Sequence, residues 1–129
     1  RVGTAPVPAT PGQYLRLERV WEPGDTIELA FQTDVRVESA PPQQKGHLGR
    51  VVVHAGPLVY CAEGTDNPTM NVHDAWLGGQ PMVADEAPGG APALDAPLQG
   101  GGNLRMIPYF AWCNRGPTPM AVWLRGGQG

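Results

Sequence analysis

Several short stretches of the chain alternate apolar and polar positions with a period of two, the signature of half-buried strands. Residues 14–21 set Leu15, Leu17, Arg19 and Trp21 on one face and Tyr14, Arg16, Glu18 and Val20 on the other. Glu22-Pro23-Gly24-Asp25 follows, with Pro at the second and Gly at the third turn position, the type II pattern. Residues 26–31 return with Ile27, Leu29 and Phe31 on one face, so the pattern predicts a hairpin. Residues 34–38 form a short strand with Val35 and Val37 inward. Residues 50–54 and 58–63 are apolar strand runs around Ala55-Gly56-Pro57, which is either a turn or a bend in one long strand. Residues 69–77 hold a short strand or an irregular edge. Residues 107–124 combine two apolar runs, one with Tyr109, Phe110 and Trp112, the other with Val122 and Trp123. Pro/Gly turn chemistry separates them at residues 114–119, which predicts a hairpin late in the chain, feeding a β core. Trp21, Trp112 and Trp123 fall in these patterns and read as core.

The remaining stretches have no such period. Residues 1–13 read as an extended lead-in or linker, and residues 126–129 as a tail. Residues 78–102 are Gly, Ala and Pro with a few carboxylates, and little apolar bulk follows Met82 and Val83. Such a stretch predicts a long, partly mobile loop, because it has little surface to bury against its ordering entropy. The chain has 129 residues, which fits one domain over residues 14–125. Its 18 Gly and 15 Pro exceed the usual shares, which disfavours long helices. The fold class expected is all-β: an antiparallel β-sandwich, jelly-roll-like, of about eight strands with no substantial helix.

Charge narrows the partners. The formal net charge is −3 and the nine Lys and Arg residues form no run. That argues against nucleic acid and against a polybasic membrane surface. No apolar run has the length of a transmembrane helix. There is no signal-peptide plan and no initiator Met, which points to a processed chain or an excised piece and leaves the compartment open. Cys61 and Cys113 are too few for a disulfide scaffold. Each sits in an apolar run, as a buried thiol or as one half of a mutual disulfide.

Four ordered motifs carry a resemblance. They are Tyr14-Leu15-Arg16-Leu17-Glu18-Arg19-Val20-Trp21 with Pro23-Gly24-Asp25; Gly49-Arg50-Val51; Gly56-Pro57-Leu58-Val59-Tyr60-Cys61-Ala62-Glu63 with Asp66-Asn67; and Ile107-Pro108-Tyr109-Phe110-Ala111-Trp112-Cys113-Asn114-Arg115-Gly116 running on to Met120-Ala121-Val122-Trp123-Leu124. In order and spacing they resemble the C-terminal β-sandwich region of the β-L-arabinofuranosidase family, glycoside hydrolase family 127. Members of that family are several times longer, and the resemblance implies that catalysis resides in an N-terminal (α/α) barrel with a cysteine nucleophile on zinc. Nothing in this sequence looks like that barrel. Residues 78–102 do not match the family pattern, as though low-complexity sequence replaced a strand pair. Cys113 stands where a small residue is expected.

The candidate chemistry is sparse. Cys61 and Glu63 share a strand face, but His54 lies beyond a Gly-Pro break, so no zinc ligand set is expected and no cofactor. Paired carboxylates for glycoside hydrolysis stand ~5–9.5 Å apart. Asp85-Glu86 lie in the least structured stretch, and Asp66 and Asp74 in loops, with Asp66-Asn67 read as turn chemistry. There is no Gly-x-Ser-x-Gly, and the triple glycine at residues 100–102 lacks the Lys-Ser/Thr of a phosphate loop. His47, His54 and His73 are too far apart in sequence to argue a cluster. Trp76, beside His73 and Asp74, is the residue best placed to stack on a sugar. The expectation is a non-catalytic accessory domain, not an enzyme by itself. Its partner would be a glycoside hydrolase catalytic domain or a second copy of itself. The alternative is an autonomous carbohydrate-binding module for plant-type glycans, using Trp76, His73 and Asp74.

Overall fold

The structure, a computed structural model, describes residues 6–31 and 33–126. The outer parts of the expected lead-in and tail, residues 1–5 and 127–129, lie outside the described residues. The chain divides into two compact units, Arg1–Gln32 and Thr33–Gly129.

Within the first unit the expected turn is present. Asp25 N–H donates to the Glu22 carbonyl at 3.1 Å, the Asp25 carboxylate accepts from Glu22 N–H, and Gly24 takes φ 96°. Leu15, Leu17, Ile27 and Leu29 line one cleft, as the alternation predicts. The expected strands are absent: no strand of two or more residues occurs among the described residues of this unit. A lone two-stranded hairpin is marginal without a third strand or a covering layer. Trp21, Leu29 and Phe31 are accordingly exposed, so Trp21 is not core.

The second unit is an antiparallel sheet of eight strands, curled and sandwich-like. They are β1 (Val35–Ser39), β2 (Arg50–Ala55), β3 (Leu58–Glu63), β4 (Met82–Glu86), β5 (Pro92–Pro97), β6 (Asn103–Pro108), β7 (Met120–Ala121) and β8 (Leu124–Arg125). The order is β1-β2-β3-β6-β5-β4, with β7 pairing β3 and β8 pairing β2. β2 and β3 are joined by Gly56-Pro57 as a two-residue turn, so this is not one bent strand: Ala55 faces Leu58, and Gly56 takes φ 55°.

The two-residue period sorts the interior. Val51, Val53, Tyr60, Ala62, Leu94, Ala96, Leu104 and Met106 pack on one face with Leu124 and Val72. Cys61, Ala93 and Ile107 pack on the other with Ala87 and Ala111. Two expectations fail here. Residues 78–102 contain β4 and β5, so a strand pair is present where a loop is predicted. Small residues suffice for it. Ala93 and Ala96 are fully buried against neighbouring strands, and the Tyr60 hydroxyl donates to the Pro92 carbonyl at 2.7 Å. Nor do residues 107–124 form a hairpin. β6 ends in a short 3₁₀ turn, Tyr109–Ala111, and the later run splits into β7 on β3 and β8 on β2.

Candidate functional site

The segment around Trp76 is held from several sides. Val72 is buried and anchors a 3₁₀ turn, Val72–Asp74. The Asn71 side chain accepts from His73 N–H at 3.2 Å and donates to Asp74 at 2.8 Å. Arg125 donates to the other Asp74 oxygen at 3.1 Å. Trp76 bridges Arg125 of β8, and its carbonyl accepts from Gln99 N–H at 2.8 Å. Its side chain is 48% exposed.

His73 faces a different group. It lines a shallow cleft of ≈ 340 Å³ with His47, Arg50, Val122 and Trp123, and Trp76 is not part of that lining. The β2–β8 pairing, Arg50 opposite Arg125 and Val51 opposite Leu124, brings Trp123, in the link just before β8, beside Arg50 on β2. Arg50 donates to the Trp123 carbonyl at 3.0 Å, and the His47 ring lies 4.7 Å from the Trp123 ring. His47 and His73 therefore line one cleft although their sequence separation argues no cluster. His54 stays apart, on β2 beside Glu38 at 3.7 Å. No linear signal marks this cleft, because strand pairing and two short 3₁₀ turns bring its residues together.

An adjoining cleft, also ≈ 340 Å³, is apolar: Val59, Tyr109, Met120, Val122 and Trp123 line it. Trp112 extends it by stacking on Tyr109, with ring centres 6.1 Å apart. Trp112 is 39% exposed, so it is not the core residue that its pattern predicts, and Tyr109 beside it is 47% exposed.

Beneath the loop that carries these aromatics lies an ionic cluster. Glu63, at the end of β3, is 1% exposed. Its carboxylate accepts from Cys113 N–H and from Arg115, both at 2.7 Å. Arg115 also forks onto Asp66 at 2.6 and 2.5 Å. Hydrogen bonds to Asp66 and Glu63 hold the guanidinium above its ordinary range, so it stays cationic. Cys113 takes φ 64°, uncommon for a residue with a Cβ. Both thiols are free, Cys61 buried and Cys113 exposed, so no disulfide joins them and Cys113 is not a core thiol. Burial, with Glu63 and Asp66 nearby, pushes the Cys61 thiol up to about 12. That is the reverse of what a metal-bound thiolate needs. No group of three or more His, Cys, Asp or Glu able to hold a metal occurs among the described residues.

On the other side of β3, Asp66-Asn67 does more than turn the chain. Asn67 is buried, and its amide accepts from Arg105 N–H at 2.8 Å while donating to the Glu63 and Arg105 carbonyls. Arg105 pairs with Asp95 on β5 and with Asp85 on β4, and its hydrogen bond to Asp85 holds that carboxyl below the usual carboxylate range. Asp85 thus has a structural partner of its own.

Comparison with known proteins places this architecture. Residues 35–125 match the model of the glycoside hydrolase family 127 C-terminal domain. The non-reducing end β-L-arabinofuranosidase of Bifidobacterium longum subsp. longum is 34% identical over 131 residues, covering 79% of this chain and 20% of that protein. A solved GH127 β-arabinofuranosidase superposes with a TM-score of 0.67 at 33% identity, covering 83% of this chain and 19% of its own. The GH127 β-L-arabinofuranosidase of Geobacillus stearothermophilus T6 superposes with a TM-score of 0.63 at 28% identity, covering 84% and 21%. The chain spans about a fifth of the length of these relatives.

Proposed function

The chain belongs to glycoside hydrolase family 127 through the C-terminal domain it matches, and we propose that it is a non-catalytic accessory domain that docks on a catalytic domain. The observation that carries this reading is the apolar cleft of Val59, Tyr109, Met120, Val122 and Trp123, continued by Trp112. Exposed aromatics in a contiguous apolar depression are interface material. The occupant this reading names is the catalytic portion of a family enzyme, since the relatives are about five times as long as the region shared. A second copy of the chain is the competing occupant. Calorimetric titration with the catalytic portion of a family enzyme tests the reading. Saturable binding that Tyr109→Asp weakens supports it. Concentration-dependent dimerisation without such binding favours the second copy. Turnover of an aryl β-L-arabinofuranoside by the chain alone contradicts a non-catalytic role.

A second reading rests on Trp76, which is half exposed and fixed through its backbone. With His73 and Asp74 in the same segment it would offer an indole face to a plant-type glycan. Affinity electrophoresis against arabinose-, galactose-, xylose- and glucose-containing glycans tests it, with retardation expected for the native chain and lost in Trp76→Ala.

A further inference from the structure

We propose that the cleft between His47, Arg50 and His73 binds a carboxylate-bearing sugar unit of the uronate type. Its lining holds two imidazoles and a guanidinium but no carboxylate, in a chain where twelve acidic residues outnumber nine basic ones. The nearest acid in sequence to His73 is Asp74, and both its oxygens are engaged, by Asn71 and Arg125.

The donors in the cleft are positioned and unspent. Arg50 uses Nη1 on the Trp123 carbonyl, which orients the guanidinium, and its other N–H groups have no protein acceptor among the described residues. The imidazole nitrogens of His47 and His73 likewise have none among the described residues. A neutral imidazole still donates one hydrogen bond, so both rings contribute in either protonation state. A guanidinium with free donors matches the planar, two-oxygen geometry of a carboxylate.

The rest of the lining suits a sugar ring more than a bare ion. Most of the surface that the cleft exposes is polar, which suits the hydroxyl groups of a sugar, and Trp123 closes one end. The volume of ≈ 340 Å³ lies at the small end of ligand pockets, the scale of a single sugar unit. The carboxylate part of the assignment rests on the cleft alone. The sugar part also rests on the family reading given above, and the choice of ligands separates the two.

The experiment is a titration of the full chain followed by heteronuclear NMR and calorimetry, in physiological salt. The ligands are sodium glucuronate, sodium galacturonate, arabinose, galactose, sodium acetate and sodium sulfate. A uronate is expected to bind saturably in the millimolar range, with shifts centred on His47, Arg50, His73 and Trp123. Neutral sugars and acetate are expected to bind at least tenfold more weakly. Arg50→Gln should lower uronate affinity about tenfold, the loss of one charge-assisted pair. His73→Ala, at an exposed position off the core, should weaken it while leaving the fold intact. Arg36→Gln removes an equal charge on β1 and should change nothing. Absence of uronate binding at tens of millimolar overturns the proposal, as does binding that survives both Arg50→Gln and His73→Ala. Acetate binding as tightly as uronate overturns the sugar assignment. Neutral sugars binding as tightly as uronate overturn the carboxylate assignment while leaving the glycan-binding reading of Trp76 standing.

Discussion

Arg115 reaches Glu63 at 2.7 Å across 52 residues of chain, and this bond ties the aromatic loop to the end of β3. Glu63 is buried, so its charge is tolerable only because Arg115 and the Cys113 N–H satisfy it. Removing Arg115 leaves a buried carboxylate with one donor. Arg115→Met is expected to lower unfolding free energy by about 2–4 kcal/mol, somewhat less than for a fully enclosed pair because the side chain is 34% exposed. Urea denaturation measures it. A loss below about 1 kcal/mol would show that the Cys113 N–H and water satisfy the Glu63 carboxylate without Arg115.

The two thiols should behave oppositely. Cys113 is exposed and Cys61 fully buried. In the native protein an aromatic disulfide reagent is expected to modify Cys113 rapidly and Cys61 only on unfolding. Equal rates for the two would contradict the burial of Cys61.

Alkaline pH should weaken the fold through Cys61. The folded thiol is held protonated, up to about 12, while an unfolded one ionises near its ordinary value of about 8.5. A raised folded value gives stability that is fully present below the unfolded value and is lost as pH rises toward the folded one. The slope can reach about 1.4 kcal/mol per pH unit. Burial raises Tyr60 too, which adds a loss of the same sign beginning higher, near pH 10. Cys61→Ala is expected to flatten the stability–pH curve between about pH 9 and 10 whatever its absolute cost. An unchanged slope would contradict the assignment.

Gly78 is a close-approach position. A Cβ there would stand 2.6 Å from Gln99 N and 2.7 Å from the Leu98 carbonyl carbon, and backbone cannot yield as a side-chain tip can. Gly78→Ala is expected to cost about 2–3 kcal/mol, against a change within about 0.5 kcal/mol for Gly46→Ala, where nothing approaches. Thermal denaturation of the pair decides it, and equal effects would contradict the approach of residues 98–99 to Gly78.

The β1–β3 core was legible because Val35 and Val37 alternate with polar residues, and residues 50–54 and 58–63 are apolar runs separated by Ala55-Gly56-Pro57. The β4–β5 pair was not. Its buried positions are Ala93, Leu94 and Ala96, one bulky side chain between two alanines, which is too little to carry a hydrophobic pattern, and it is held by pairing with β6. Residues 14–31 erred in the opposite sense. Their alternation is clean, yet no strand of two or more residues forms among the described residues there, because alternation reports a face and does not by itself supply a third strand. The four motifs identified the family, but the cleft of His47, Arg50 and His73 escaped the sequence, because two strands, β2 and β7, and two 3₁₀ turns, Lys45–His47 and Val72–Asp74, assemble it from residues far apart in the chain.

The docking role of the aromatic face is tested most directly by hydroxyl-radical footprinting of the chain alone and with the catalytic portion of a family 127 enzyme supplied in trans. Tyr109, Trp112 and Trp123 are expected to be oxidised in the isolated chain and protected in the mixture, while Trp76 stays reactive in both. Undiminished oxidation of all three in the mixture, with the chain alone hydrolysing an aryl β-L-arabinofuranoside, would contradict the assignment of this chain as an accessory domain.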